Sequence, residues 1–355
     1  MHGGEIPVKH DFSVNINPLG VPKSVRKAYF RGMKTVSAYP DIKCITLRSL
    51  LSERLCRLYN ANSGPENILC GNGASELIPA VFRSFGIKKA LLVSPCFTGY
   101  ERALKSCGAE ITYFNLKEEK EFELGTCNIE EFLSIIDKKS FDAVIIANPN
   151  NPNGRLTEPF ILEKIADACL QKGCLFFIDE CFMELTAFPE KYSFIPKLME
   201  YKNAVVLRAF TKTFAIPGLR LGYIVCSDKN LITEVEKQLP EWNVSSIAQL
   251  CGISCMAEDK YLSKSRVVIS ENLRKQNLKL KALGFKTYSS DSSFILFKSE
   301  LLDLKERLLQ RDILIRECSD YEGLEKGFYR VSVKSEKENK LLIRVLSEVI
   351  KNGVK

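Results

Sequence analysis

Short apolar runs recur through the middle of the chain. Ala90–Ser94, Asp142–Ala147, Cys174–Ile178, Ala204–Phe210 and Leu221–Cys226 are rich in β-branched and aromatic residues. Each is bounded by Gly, Pro, Asn or charge, and each predicts a buried strand. Between them, Ser75–Ser84 and Glu158–Lys172 place apolar residues at helical spacing. Strands alternating with helices predict an α/β fold with a mostly parallel sheet between helices.

The pattern changes after residue 259. Residues 260–282 read as one long charged helix leading out of the sheet domain. The tail predicts a smaller α+β unit, with strands near Lys286–Tyr288, Phe294–Phe297, Ile313–Arg316 and Tyr329–Val333. Its helices are expected near Leu301–Gln310 and Ser335–Lys351. The first forty residues have little periodicity and several turn signals, such as Asn15-Ile-Asn17-Pro-Leu-Gly20, and predict an extended arm. The expected division is therefore an arm at 1–40, a large domain at 41–259 and a small domain at 260–355.

Composition narrows the class. A chain of 355 residues with 45% hydrophobic and 26% charged residues is long enough for two globular domains. The net charge of +8 comes with no basic block interleaved with aromatics, so nucleic acid is not an expected partner. There is no run of 18 apolar residues and no signal-type hydrophobic segment at the start, so the expected compartment is the cytoplasm. Thirteen cysteines are scattered without a CxxC pair or a set of zinc ligands. They read as reduced, mostly buried side chains, and no metal is expected.

The chemistry concentrates at six places. Arg208-Ala-Phe-Thr211-Lys212 ends an apolar run, and Arg220 follows eight residues after Lys212 in a Gly-containing turn. A desolvated lysine beside a hydroxyl and a guanidinium suits a Schiff base to pyridoxal 5'-phosphate (PLP), with the other two groups on its phosphate. Asp179 ends the strand Leu175-Phe-Phe-Ile-Asp179 and would face the ligand crevice of an open sheet. There it could pair with a protonated pyridine nitrogen. A magnesium-binding Asp of a P-loop ATPase is the competing reading, but GxxxxGK[ST] is absent.

Asn148-Pro-Asn-Asn151-Pro-Asn-Gly154 follows a buried strand and is either a plain turn or a source of an amide for the ring's phenolate oxygen. Gly71-Asn-Gly73-Ala74-Ser75 precedes a helix and can offer backbone N–H groups to an anion. Phe97 lies just past a strand end, where it could stack on a flat ring or belong to the core. Arg316 and Arg330 sit in otherwise apolar strands. They call for an anion, which is either a ligand or a carboxylate such as the adjacent Glu317.

These motifs, in this order, resemble the fold-type I PLP enzymes of the aspartate aminotransferase superfamily nearly end to end. Within it the chain is similar to the threonine-phosphate decarboxylases of cobalamin biosynthesis, close relatives of the histidinol-phosphate aminotransferases. The narrower likeness rests on His2–Gly20, on Ile313–Leu324 leading to Tyr329-Arg330-Val, and on Phe97 and Phe182, where the aminotransferases typically carry Tyr. The resemblance implies a seven-stranded, mostly parallel sheet in a PLP-binding domain and a homodimer with shared sites. It implies decarboxylation of a small phosphorylated amino acid, with phosphoserine and histidinol phosphate as the competing substrates. A PLP-binding chain without activity is the alternative of another class.

By the same likeness, Lys212 would bond the cofactor and return a proton to it, Asp179 would hold the pyridine nitrogen and Asn151 the phenolate oxygen. Phe97 would stack on the ring. Gly73, Ala74, Ser75, Thr211 and Arg220 would bind the phosphate, with Tyr39 of the other subunit. Arg316 and Arg330, with His2 and Asn17, would hold the substrate. Asn153 stands where the superfamily's turn usually has Thr, and Ala74-Ser75 is smaller than the decarboxylase pattern.

Overall fold

The computed structural model describes residue 4 and residues 6–353; the expected site residue His2 lies outside them. A two-residue strand, β1 (His10–Asp11), comes first. Seven strands then build the central sheet: β2 (Ile68–Gly71), β3 (Lys89–Ser94), β4 (Glu110–Asn115), β5 (Ala143–Ala147), β6 (Leu175–Asp179), β7 (Ala204–Ala209) and β8 (Gly222–Cys226). Their order in space is β2-β8-β7-β6-β5-β3-β4. All run parallel except β8, which is antiparallel to both neighbours.

Helices cover both faces, so β5 to β8 are buried at every position. Alternate residues serve opposite cores. Val144, Ile146, Phe176, Ile178 and Val206 pack on one side. Ala143, Ile145, Leu175, Phe177 and Val205 pack on the other. This is why these strands read as continuous apolar runs. The edge strand β4 is half polar and β2 has four residues, so neither stood out in the hydrophobic pattern.

A helix of 24 residues, Asp259–Ala282, leads to the second sheet. Its strands are β9 (Lys286–Thr287), β10 (Phe294–Lys298), β12 (Arg316–Glu317) and β13 (Phe328–Ser332), after the short β11 (Ile313–Leu314). The order β12-β13-β10-β9 is antiparallel throughout. Its core contains Ile295, Phe297, Leu308, Tyr329, Val331 and Leu346, and also Phe12 from the start of the chain. β1 pairs in parallel with β11, and the Phe12 carbonyl accepts from the Ser332 N–H at 2.8 Å.

The first forty residues are not extended throughout. Lys23–Gly32 is a helix. Its buried positions are Val25, Ala28 and Gly32, spaced three and four apart, and Gly32 packs on Ile247. Lys23, Arg26, Lys27 and Arg31 mask this narrow stripe in the hydrophobic pattern.

A buried ion network joins the ends of β6 and β7. Register places Asp179 beside Leu207, so Glu180 and Arg208 are neighbours across the strands. Arg208 donates through Nε and Nη2 to Glu180 Oε2 at 2.9 and 2.6 Å. It also reaches Ser193 Oγ, Glu184 Oε1 and the Tyr59 hydroxyl. Arg54 holds the other oxygen of Glu184 at 3.2 Å. Arg208→Met would leave Glu180 buried without its cationic partner and Glu184 with Arg54 alone of the two arginines. It is expected to cost about 3–5 kcal/mol of stability, read as a lower urea midpoint for the cofactor-free protein.

Candidate active site

The carboxyl ends of parallel strands share one edge of the sheet, and loops leaving that edge converge. Asp179 is the last residue of β6. Lys212 lies in the single helical turn Phe210–Thr213 directly after β7. Asn151 follows β5, Phe97 follows β3, and Gly73-Ala-Ser75 follows β2. They meet in a cavity of about 670 Å³. Its wall includes Ala74, Ser75, Phe97, Asn151, Asp179, Thr211, Lys212 and Arg220 from the large sheet's loops, with Arg316 and Arg330 from the small sheet.

Asp179 is buried. Its Oδ2 accepts from the Tyr100 hydroxyl at 2.6 Å and its Oδ1 from the Cys181 N–H at 2.8 Å. Burial pushes the carboxyl above the ordinary Asp value near 3.8, and those two donors and nearby Lys212 pull the other way. Burial lowers the Lys212 ammonium from its usual 10.5, and the guanidiniums of Arg330 and Arg220 push in the same direction. The lysine is thereby biased toward the neutral, nucleophilic amine.

Gly73 lies beside Arg220 and directly before the cavity-lining Ala74 and Ser75. It stands at φ +78° before the helix Ala74–Ser84, which has no side-chain cap. A Cβ there would lie 3.1 Å from Arg220 Nη2. Arg220 Nη2 also donates to Ser75 Oγ at 3.3 Å. Uncapped first-turn N–H groups facing a guanidinium form a cradle for an anion.

From the small sheet, Arg330 Nη1 donates to Asn151 Oδ1, and Nη2 to the Ser13 carbonyl at 2.8 Å. Arginine can only donate, so Oδ1 of Asn151 must face Arg330, which leaves the amide's Nδ2–H for another acceptor. Arg316 pairs with Asp320 and not with the adjacent Glu317. Phe97 packs edge-on against Tyr100, with ring centroids 5.5 Å apart.

Two expected residues lie elsewhere. Asn17 does not reach the wall of the cavity. Its Nδ2 donates to the Thr213 carbonyl and Ser265 Oγ at 2.9 and 2.8 Å, and its N–H to the Lys212 carbonyl at 3.1 Å. It clamps the backbone that carries Lys212, which leaves its amide no free donor for a ligand. Asn15 lines the cavity instead. Both asparagines sit in irregular chain, and no periodicity distinguishes them. Tyr39 is 81% exposed and packs on Trp242, away from this chain's own cavity. Tyr100 was missed, although its place three residues after Phe97 at a helix start puts both on one face.

Residues 7–346 match the model of the aminotransferase class I and II family. The chain belongs to this family. Its cofactor is accordingly PLP. The chain is 33% identical to the threonine-phosphate decarboxylase of Salmonella typhimurium over 344 residues, covering 96% of this chain and 91% of that one. It is 32% identical to histidinol-phosphate aminotransferase 1 of Carboxydothermus hydrogenoformans over 343 residues, covering 95% and 91%. The crystal structure of histidinol-phosphate aminotransferase from Clostridium acetobutylicum superposes with a TM-score of 0.87 at 32% identity, covering 97% of this chain and 99% of that one.

Asp179→Asn removes a buried charge whose protonation the fold favours. Above the folded pKa of Asp179 the variant is expected to melt higher than the wild type without cofactor. The gap should narrow as pH falls through the folded pKa and close below the ordinary Asp value, where both states of the wild type are protonated. Melts at pH 8 and pH 4 check the sign.

Proposed function

We propose that the protein catalyses PLP-dependent decarboxylation of L-threonine O-3-phosphate. The products would be CO₂ and (R)-1-amino-2-propanol phosphate, the linker of the nucleotide loop in cobalamin biosynthesis. The observation that carries an anionic substrate is the pair of buried arginines, Arg316 and Arg330, on the wall that also holds Lys212. Phe97 and Phe182 on that wall support decarboxylation over transamination, together with the likeness to the Salmonella enzyme.

The residues suit the cofactor. The cradle of Gly73, Ala74, Ser75, Thr211 and Arg220 would take its phosphate, and Phe97 would cover one face of its ring. Asp179 would keep the ring nitrogen protonated, and that positive charge would compensate a carboxylate now costly to bury. Asn151 would donate its Nδ2–H to the phenolate oxygen. When bound, PLP supplies an electron sink for the pair released as the Cα–carboxylate bond breaks.

Lys212 would hold the cofactor covalently and, as a neutral amine, give way to the substrate's amine. As an ammonium it would then deliver a proton to Cα. Arg330 and Arg316 would hold the substrate's carboxylate and phosphate. Closing the cavity against water would strengthen each of these contacts.

The assembly in this reading is a cytoplasmic homodimer. Phe30, Met33, Val36, Tyr39 and Ile45 are more than half exposed and gather in one stretch of chain. An apolar surface of this kind suits contact with another subunit, and Tyr39 would there reach the partner's cofactor phosphate. Among the described residues no helix is long and apolar enough to cross a membrane.

The second reading, histidinol-phosphate aminotransferase, draws on the Clostridium and Carboxydothermus likenesses. The PLP-loaded protein should be incubated with threonine phosphate, serine phosphate or histidinol phosphate, each with 2-oxoglutarate, scoring CO₂ and glutamate. CO₂ with an equal yield of amino alcohol phosphate from threonine phosphate is expected. Glutamate without CO₂ would sink the decarboxylase reading. Lys212→Ala should reduce turnover at least about a thousandfold. Arg330→Gln should raise KM by roughly two orders of magnitude, because it removes a buried ligand of an anion.

A further inference from the structure

Arg316 and Arg330 are direct partners across β12 and β13. Like charges at such positions repel, and both side chains are buried at 7% and 5% exposure. Their hydrogen bonds are unequal. Among the described residues, Arg330 hydrogen-bonds only neutral groups: the Ser13 carbonyl, Asn151 Oδ1 and, at 3.4 Å, the Tyr321 hydroxyl. Arg316 meets a carboxylate, and its Nη2 donates to both oxygens of Asp320 at 2.8 and 2.7 Å. Tyr321 links the two, because the Arg316 guanidinium also lies 5.1 Å from the centre of its ring.

Two guanidiniums and one carboxylate leave a single net positive charge. Asp320 is not part of the cavity wall. It engages Arg316 through Nη2. The ring of Tyr321 gives Arg316 a second support, so the charge of Asp320 is not needed merely to hold the side chain.

We propose that Asp320 is a counter-ion that sets how tightly the arginine pair holds phosphorylated ligands. The inference rests on the reading of Arg316 and Arg330 as the substrate's anion site. A phosphate monoester carries between one and two negative charges at neutral pH. The decarboxylated product keeps that phosphate and loses only the carboxylate. An arginine pair without a counter-ion would hold such a product more tightly. Asp320 weakens the hold on the phosphate common to substrate and product, and lets the product leave. Its side chain is 41% exposed, so solvent screens its field and the effect is moderate.

Asp320→Asn keeps an oxygen for Arg316 Nη2 and removes the charge. In the PLP-loaded protein, the dissociation constant of inorganic phosphate is expected to fall roughly three- to fivefold, with a steeper dependence on salt. KM for threonine phosphate should fall by a similar factor, and kcat should not rise. Asp320→Glu, which keeps the charge, should bind phosphate as the wild type does. Unchanged or weaker phosphate binding by the Asn variant, with PLP content and melting temperature as in wild type, overturns the proposal. A wild-type protein that binds neither inorganic phosphate nor any of the three phosphate esters overturns the anion-site reading and this inference with it. Wild-type binding matched by the Asn variant overturns the role of Asp320 alone.

Discussion

The ends of β6 and β7 are tied together by the buried pair Glu180–Arg208, and the site depends on that tie. Side chains alternate along a strand, so Asp179 faces the cavity and Glu180 faces the opposite side. Arg208 stands beside Glu180 and four residues before Lys212. Removing two charges from water is costly, and the cost is offset only when the remaining donors also find acceptors. Here Ser193, Glu184 and Tyr59 take them. The result is an edge with little freedom. From it the acid and the lysine leave at a fixed relative height, with Asn17 bracing the lysine loop from the N-terminal segment.

Those strands were legible because they are buried on both faces. Phe176, Phe177, Val205 and Val206 serve two cores at once, so the chain shows uninterrupted apolar runs there. The helix Lys23–Gly32 was not legible. A helix lying on another helix needs only a narrow apolar stripe, and three buried positions among four cations give a weak signal. The site divides along the same line. Lys212, Asp179 and Asn151 follow regular strands, which fixed where their loops would converge. Asn15 sits in irregular chain, and the part proposed for Asp320 depends on a turn. Residues whose roles arise from tertiary contacts leave no period in the sequence.

The site's electrostatics are unbalanced without a ligand. Among the described residues, Asp179 is buried without a salt-bridge partner at hydrogen-bonding distance, Lys212 is biased toward the neutral amine, and Arg330 meets no carboxylate. Elsewhere the chain pairs its buried charges, as at Arg54 and Arg208. Departures from such consistency are expected where a protein binds something. A molecule with a positive ring nitrogen, an electrophilic carbon and a phosphate would address Asp179, Lys212 and the Gly73 cradle together. A substrate with two anions would address the arginines.

That division also locates the choice of reaction. Lys212 and Asp179 serve the breaking of either bond at Cα equally, since both roles concern the ring and a proton. What differs between decarboxylation and transamination is which bond stands perpendicular to the ring. The orientation of Cα is set by whatever grips the substrate's anions, so under the proposed function the distinction would lie with Arg316 and Arg330. Arg330 is fixed by three neutral partners and Arg316 by one carboxylate. Under the proposed function a carboxylate and a phosphate would meet two unlike guanidiniums, and the reaction would follow from which anion each one takes.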